Sequence, residues 1–179
     1  MITNEQIKLL QSYRDKAYVS NILCNETMNF YSMIKSIVNL PLILSSAVMT
    51  IMNSSDLSSH DMKVPNIIIN GSTTLLLALV NNFKLPERIN NFRTISIKMN
   101  KLCHNIEDKL TNSLDEVTTE HIRLFINDYD NLNETLEYSF PNFIKERVKK
   151  RYTNKKTLPN ILNCNLDFTT DRNSVEIPV

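Results

Sequence analysis

The chain has 179 residues, of which 42% are hydrophobic and 22% charged, so it can bury a core and is not disordered throughout. Its formal net charge of +1 provides no global field for holding nucleic acid. The single glycine nearly excludes phosphate-binding loops, nucleophile elbows and hairpin-rich β folds, because these need backbone at positive φ. The composition therefore favours an all-α protein.

The first predicted element is a long amphipathic helix. Its apolar face recurs at steps of three and four residues, with one weak position at Ser20. No proline or glycine lies between Glu5 and Leu40, so we expect this helix to continue into the apolar segment that follows. The predicted inner face consists of Ile7, Leu10, Tyr13, Ala17, Ser20, Cys24, Met28, Tyr31 and Ile34.

Two uncharged apolar segments, residues 36–52 and 64–83, dominate the middle of the chain. Both fall within the range of roughly 17 to 25 residues that a membrane-spanning helix needs. The serine-rich connector between them is short, which predicts an antiparallel hairpin with both termini on one side. A soluble bundle that buries the same hairpin is the alternative interpretation.

The charges around the segments predict the orientation of the hairpin. Both flanks are basic, whereas the connector sets Lys63 against Asp56 and Asp61. Positive residues favour the cytoplasmic side, so we expect both termini there and the connector across the membrane. The basic flanking residues are Arg14, Lys16, Lys35, Lys84, Arg88, Arg93, Lys98 and Lys101.

Small and polar side chains form a stripe on each apolar segment. Small residues allow close helix approach in membranes, and Asn or Thr side chains bond across helices. The stripe predicts either the seam of the hairpin or, in an oligomer, the lining of a pore. Its residues are Asn39, Ser46, Thr50, Asn66, Asn70, Gly71, Thr74 and Ala78.

A second amphipathic helix follows, with Pro86 in its first turn and an apolar face at Ile89, Phe92, Ile95, Met99, Leu102, Ile106 and Leu110. We expect it to pair with the first helix as an antiparallel stalk, so that residues 1–111 form one hairpin. Residues 112–140 are predicted to hold one further helix over about Thr119 to Tyr138, capped by Thr118. Its predicted inner face is Ile122, Phe125, Tyr129, Leu132 and Leu136.

Residues 141–179 read as a basic segment followed by an extended arm. The cluster of cations in this basic segment has three interpretations: contact with anionic lipid or a protein partner, contact with nucleic-acid phosphates, or a solvated helix end. We favour contact with lipid or a protein partner. Its cations are Lys145, Arg147, Lys149, Lys150, Arg151, Lys155 and Lys156.

No catalytic arrangement emerges, so we expect a protein that is not an enzyme and uses no cofactor or metal. His60, His104 and His121 lie in separate elements, and adjacent Cys103 and His104 point about 100° apart on a helix. A metal site from Cys24, Cys103 and His121 is conceivable, but buried thiols that act as small apolar residues and a surface histidine are the better explanation.

The arrangement of a long helix, two membrane segments and a second long helix resembles the SLATT families over roughly residues 17–110. The stretches that carry the resemblance are YRDKAYVSNILCNETMNFYSMIKSIVNLPLILSSAVMTIM and NIIINGSTTLLLALVNNFKLPERINNFRTISIKMNKL. Within them, Asn39 to Pro41, Gly71 and the basic exit helix are the points of similarity. The resemblance implies an oligomeric, pore-forming membrane effector.

Composition points to a different use of the same fold. The chain contains 24 asparagines, 19 isoleucines and 13 lysines, a bias typical of the A+T-rich genomes of large DNA viruses. We therefore expect a virion protein that is anchored in an internal membrane and contacts the capsid layer. Its expected partners are membrane lipid, capsid proteins and further copies of the chain, and not nucleic acid.

Overall fold

The computed structural model describes residues 3–54, 63–112, 117–152, 158–159 and 162. These residues form five α-helices and no β-strand, which confirms the all-α prediction for the described part of the chain. Contacts divide the chain into unit 1, Met1–Asn25 with Thr94–Val179, and unit 2, Glu26–Arg93. The helices are α1 (Asn4–Ser54), α2 (Lys63–Asn82), α3 (Leu85–Asn112), α4 (Thr119–Glu134) and α5 (Asn142–Tyr152).

Helix α1 is continuous over 51 residues, as the absence of proline and glycine before Leu40 predicts. Pro41 lies inside this helix, and the helix continues beyond it to Ser54. Proline lacks a backbone N–H, so one i→i−4 hydrogen bond is missing at this point. The remaining ladder is sufficient to keep the helix in one piece.

A short break separates α2 from α3 at Phe83 and Lys84. Lys84 has a φ of 49°, in the left-handed region that side chains other than glycine rarely adopt. Its N–H donates to the Asn81 carbonyl at 3.1 Å, and its own carbonyl accepts from the Arg88 N–H at 3.0 Å. Pro86 lies in the first turn of α3, as predicted. The backbone of Lys84 therefore marks both the end of α2 and the start of α3.

In unit 1, α1 and α3 contact each other, with the Ser96 hydroxyl donating to Asn21 Oδ1 at 2.6 Å, and α4 and α5 pack on α1 as well, so that the predicted pair is part of a larger bundle. Tyr13 of α1 packs edge-to-face on Tyr129 of α4 at 5.5 Å between ring centroids, and Tyr18 contacts Tyr152 of α5 at 6.4 Å. Because α1 has several neighbours in this unit, Val19 and Leu23 are buried outside the predicted face. The predicted positions that are buried are Leu10, Ala17, Ser20, Cys24 and Tyr31 on α1 and Phe92, Ile95, Met99, Leu102 and Ile106 on α3.

Helix α4 begins as predicted and ends earlier. The Thr118 hydroxyl accepts from the His121 N–H, and the His121 ring reaches back to the Thr118 N–H, each at 3.3 Å. This capping box confirms Thr118 as the N-cap. The helix ends at Glu134, four residues before the predicted Tyr138, and Thr135 forms its C-cap with its N–H on the Asn131 and Asn133 carbonyls.

The prediction of a single further helix was wrong, since α5 occupies part of the segment expected to be only basic and extended. Ile144 and Val148 lie four residues apart on α5 and are fully buried. Two apolar positions are too few for a clear periodic signal in a sequence dominated by lysine and arginine. Of the predicted arm, Pro159 and Leu162 are buried, Leu158 is half-buried, and the rest lies outside the described residues.

Candidate functional site

The most apolar part of the protein is also the most exposed. We call residues 36–52 of α1 and Lys63–Asn82 of α2 the apolar helix pair. Its isoleucines Ile43, Ile51 and Ile67 are 66%, 69% and 71% exposed. Two helical stretches, Asn4–Met52 and Lys63–Asn112, are long and apolar enough to cross a membrane. In their most apolar 18-residue windows only 0% and 6% of the residues are buried, whereas a core helix of a soluble protein is mostly buried.

The two helices of the pair contact each other through a polar bridge. The hydroxyl oxygens of Ser45 and Thr73 lie 3.1 Å apart. The Ser45 hydroxyl also donates to the Leu42 carbonyl at 2.9 Å, so Thr73 is the donor in the bridge. A cleft of about 240 Å³ surrounds this contact and is lined by Leu42, Ser45, Ser46, Met49, Ile69, Asn70 and Thr73.

The predicted stripe lies beside this contact. Asn39 and Asn66 are half-buried, while Ser46 and Asn70 are exposed on the rim of the cleft. The remaining predicted residues are exposed: Thr50, Gly71, Thr74 and Ala78. A Cβ placed on Gly71 would meet nothing within 4 Å, so this glycine provides no close approach to α1 within one chain.

The contacting residues Ser45 and Thr73 were missed by the sequence analysis. The signal for Ser45 was present, because continuing the apolar face of α1 from Tyr31 by steps of three and four reaches positions 38, 42, 45, 49 and 52. The stripe was instead selected by residue type. Periodicity carried across the start of the apolar segment identifies the seam more accurately than polarity does.

The Asn66 amide oxygen in the apolar helix pair is buried and has no hydrogen-bond partner among the described residues. The threonines behave differently. Thr50 donates to the Ser46 carbonyl at 2.9 Å and Thr74 to the Asn70 carbonyl at 2.8 Å, so their hydroxyls are satisfied within their own helices. An amide that is removed from water without a partner costs about 1–3 kcal/mol in proteins and more in hydrocarbon.

An aromatic and basic cluster lies within unit 2, next to the apolar helix pair in sequence. Tyr31 stacks on Phe92 at 6.0 Å with an interplanar angle of 12°. Arg88 donates to the Tyr31 hydroxyl at 3.2 Å, with its guanidinium 5.6 Å from the ring centroid. Aromatic and basic residues flanking an apolar segment are typical of a membrane interface.

In unit 1, the basic segment is attached to the bundle through α5. Lys145 and Lys149 are half-buried beside Ile144 and Val148. Three further cations of the predicted cluster, Arg147, Lys150 and Arg151, are exposed, whereas Lys155 and Lys156 lie outside the described residues. The Arg147 guanidinium lies 5.9 Å from the ring centroid of Phe143, which is itself 47% exposed. The outer face of α5 is thus basic and carries one exposed aromatic ring.

A cleft of about 390 Å³ lies between α3 and α4 in unit 1. Leu102 and Leu132 contribute apolar lining, Lys98 and Lys101 are cationic and Asp128 is anionic. The remaining lining residues are neutral and polar: Asn105, Asn131 and Thr135. A cleft of mixed charge fits a polar protein surface better than a uniformly anionic ligand.

Among the described residues, the cysteines and histidines form no metal-binding cluster. Cys24 and Cys103 are buried, and burial raises the pKa of the Cys24 thiol to about 12, which leaves it protonated and unreactive near neutral pH. His121 serves the α4 cap, His104 is exposed, and His60 lies outside the described residues. Among the described residues, no group of three or more His, Cys, Asp and Glu side chains could hold a metal ion.

No protein-family model, curated protein or solved structure matches this chain. The observations on the chain itself define its class: an all-helical protein with two helical stretches long and apolar enough to cross a membrane.

Proposed function

We propose that the protein is a non-enzymatic membrane anchor. The apolar helix pair spans the bilayer as an antiparallel hairpin, and unit 1 is an interaction module for protein partners. The observation that carries this proposal is the exposure of the large apolar side chains of the pair. In water such a surface would have to be covered by protein, whereas lipid tails cover it directly.

The charge distribution supports a defined orientation. Both flanks of the pair are basic, and the sequence between the helices contains Asp56 and Asp61. By the positive-inside rule, both termini and unit 1 lie on the cytoplasmic side. Unit 1 then presents the basic outer face of α5 and the cleft between α3 and α4 to partners.

The proposed partners are capsid proteins of a large DNA virus, with the hairpin seated in an internal viral membrane. Support for this assignment comes from the asparagine-, isoleucine- and lysine-rich composition.

A pore of the SLATT type is the second candidate, because Ser46, Thr50, Asn70 and Thr74 are exposed polar residues in the apolar helix pair. Several copies could turn these side chains toward a shared aqueous lumen. Ion flux through liposomes that contain the purified protein tests this candidate. An anchor leaves the vesicles tight, whereas a pore makes them leak in proportion to the protein added.

The anchor is tested by extraction of membranes with alkaline carbonate. We expect the protein to stay in the pellet and to dissolve only in detergent. The matched variants are Ile43→Arg with Leu75→Arg on the exposed face of the pair, and Leu124→Arg on the exposed face of α4. All three positions are solvent-accessible in the chain, so arginine disturbs no internal packing.

If the pair spans lipid, the paired arginines weaken insertion, because each costs about 2.5–3.5 kcal/mol at the centre of a membrane helix. The Leu124→Arg variant keeps its carbonate resistance. A wild-type protein that is released by carbonate and is soluble without detergent would overturn the anchor and the pore together, and would favour a soluble helical bundle.

A further inference from the structure

Two exposed helix faces of unit 1 carry charges of opposite sign. Helix α4 contains four carboxylates and one guanidinium, which gives it a formal charge of −3, whereas α5 contains five cations and one carboxylate, which gives it +4. The net charge of +1 for the whole chain conceals this separation. Two copies can therefore approach each other without strong overall repulsion.

The acidic face of α4 surrounds one exposed leucine. Glu120, Leu124 and Asp128 follow each other at intervals of four residues, so they lie along one stripe of the helix. All three are exposed, and 54% of Leu124 is accessible, whereas Ile122 and Tyr129 on the other side of α4 are buried. We call Glu120, Leu124 and Asp128 the acidic stripe.

The basic face of α5 has a similar arrangement around one exposed phenylalanine. Phe143, Arg147 and Lys150 follow each other at intervals of four and three residues, and all three are exposed. We call these three residues the basic stripe. Each stripe thus presents one large apolar side chain and two like charges, and the charges of the two stripes have opposite signs.

The carboxylates of the acidic stripe are not neutralised by α5 of the same chain. Neither Glu120 nor Asp128 forms an ion pair with any residue that the structure describes. Lys98 and Lys101 line the same cleft as Asp128, but they form no ion pair with it. The acidic stripe therefore keeps its charge for a partner outside the chain.

We propose that unit 1 is a self-association module, in which the basic stripe of one copy docks on the acidic stripe of another. A second copy is the partner because unit 1 itself carries both halves of a complementary pair of surfaces. The contact packs the exposed ring of Phe143 against the exposed side chain of Leu124. It also sets the two cations of one stripe opposite the two carboxylates of the other.

This contact is heterologous, because two different surfaces meet. A copy that uses its acidic stripe still presents its basic stripe, so association continues into a ring or a row of copies. The contact lies in unit 1 and does not involve the apolar helix pair. It extends the proposed role of unit 1 as an interaction module, and it does not depend on whether the pair spans lipid.

Charge reversal in the full-length protein tests the contact. Energy transfer between fluorescently labelled copies in liposomes measures the association. We expect Glu120→Lys with Asp128→Lys to weaken it by about tenfold or more at low salt, because two attractions become repulsions. Arg147→Glu with Lys150→Glu should have a similar effect. Added salt should weaken the wild-type association, since the charges are exposed.

The matched control reverses two charges on α3. Glu107→Lys with Asp108→Lys alters the net charge by the same amount as the reversal of the acidic stripe, and both positions are exposed. We expect this control to associate as the wild type does. Thermal unfolding should give the same Tm for the wild type and all reversed variants, because the substituted side chains are exposed.

Restored complementarity distinguishes docking from a general loss of structure. A mixture of the two stripe-reversed variants should associate again, and so should a single chain that carries all four reversals, because opposite charges face each other once more. A monomeric wild type, stripe-reversed variants that associate like the wild type, or folded variants that fail to associate when mixed would each overturn the contact. Release of the wild type by carbonate would overturn the proposed anchor alone, and the same variants then decide the contact in detergent-free solution.

Discussion

Ser45 and Thr73 join α1 and α2 by a hydrogen bond of 3.1 Å between two hydroxyl oxygens. Ser45 donates its own hydrogen to the Leu42 carbonyl, and Thr73 donates to Ser45. This bridge is a polar contact between the facing sides of the two helices, and it favours the rotation of each helix that packing across the pair sets. It also explains why the cleft around it has Ser46 and Asn70 on its rim.

We predict that the double variant Ser45→Ala/Thr73→Val loses less free energy of unfolding than the sum of the losses of the two single variants. The coupling energy should be about 0.6 kcal/mol and at most about 1.7 kcal/mol, the range measured for hydrogen bonds between membrane helices. Reversible unfolding in mixed detergent micelles supplies the four free energies. Thr74→Val is the control, because the Thr74 hydroxyl bonds within its own helix, and it should show no coupling to Ser45→Ala. Strict additivity of the Ser45 and Thr73 changes would contradict the bridge.

We predict that Lys84→Gly raises the stability of the protein by about 1 kcal/mol. The φ of 49° at Lys84 costs energy for a residue with a Cβ and almost none for glycine. Thermal unfolding in detergent measures the change as an increase in Tm. Lys84→Ala separates backbone from charge, since alanine keeps the strain but loses the exposed 3.6 Å contact with Glu87. A Tm for Lys84→Gly at or below that of Lys84→Ala would show that the left-handed conformation carries no strain.

Alkaline pH should destabilise the protein through Cys24. Its thiol has a pKa of about 12 in the folded chain, against an ordinary value of 9.0 for an exposed thiol, because burial disfavours the thiolate. Below pH 9 both states hold the proton and pH has no effect through this group. Between about pH 9 and 12 the unfolded state releases the proton and the folded state retains it, so stability falls as pH rises, with a slope approaching about 1.4 kcal/mol per pH unit.

The measurement is the free energy of unfolding at several pH values for the wild type and for Cys24→Ala. Tyr13 and Tyr129 also have raised pKa values, mainly through burial, so both proteins lose stability at high pH. The difference between the two curves isolates the thiol, and the wild type should have the steeper slope. Parallel curves would show that the Cys24 thiol releases its proton as readily in the folded chain as in the unfolded chain, so that burial does not raise its pKa.

The sequence predicted the helices well where the apolar periodicity extends over many residues. The apolar face of α3 agrees with the buried positions Phe92, Ile95 and Met99, and Thr118 caps α4 as expected. Helix α5 was missed because two buried apolar residues among many cations give almost no periodic signal. The end of α4 was misplaced because apolar residues continue to Tyr138 while the backbone has already turned at Thr135.

What the sequence determined by itself is the helical class, the continuity of α1 and the position of the two apolar segments. These depend on interactions within about four residues and on segment length, both of which are present in the order of the amino acids. Only the tertiary structure decided that Ser45 and Thr73 contact each other while Asn70 lies exposed beside them. Each residue turns a helix by about 100°, so the side chain that faces a partner depends on how the two helices are rotated against each other, and that rotation is set by packing across the pair.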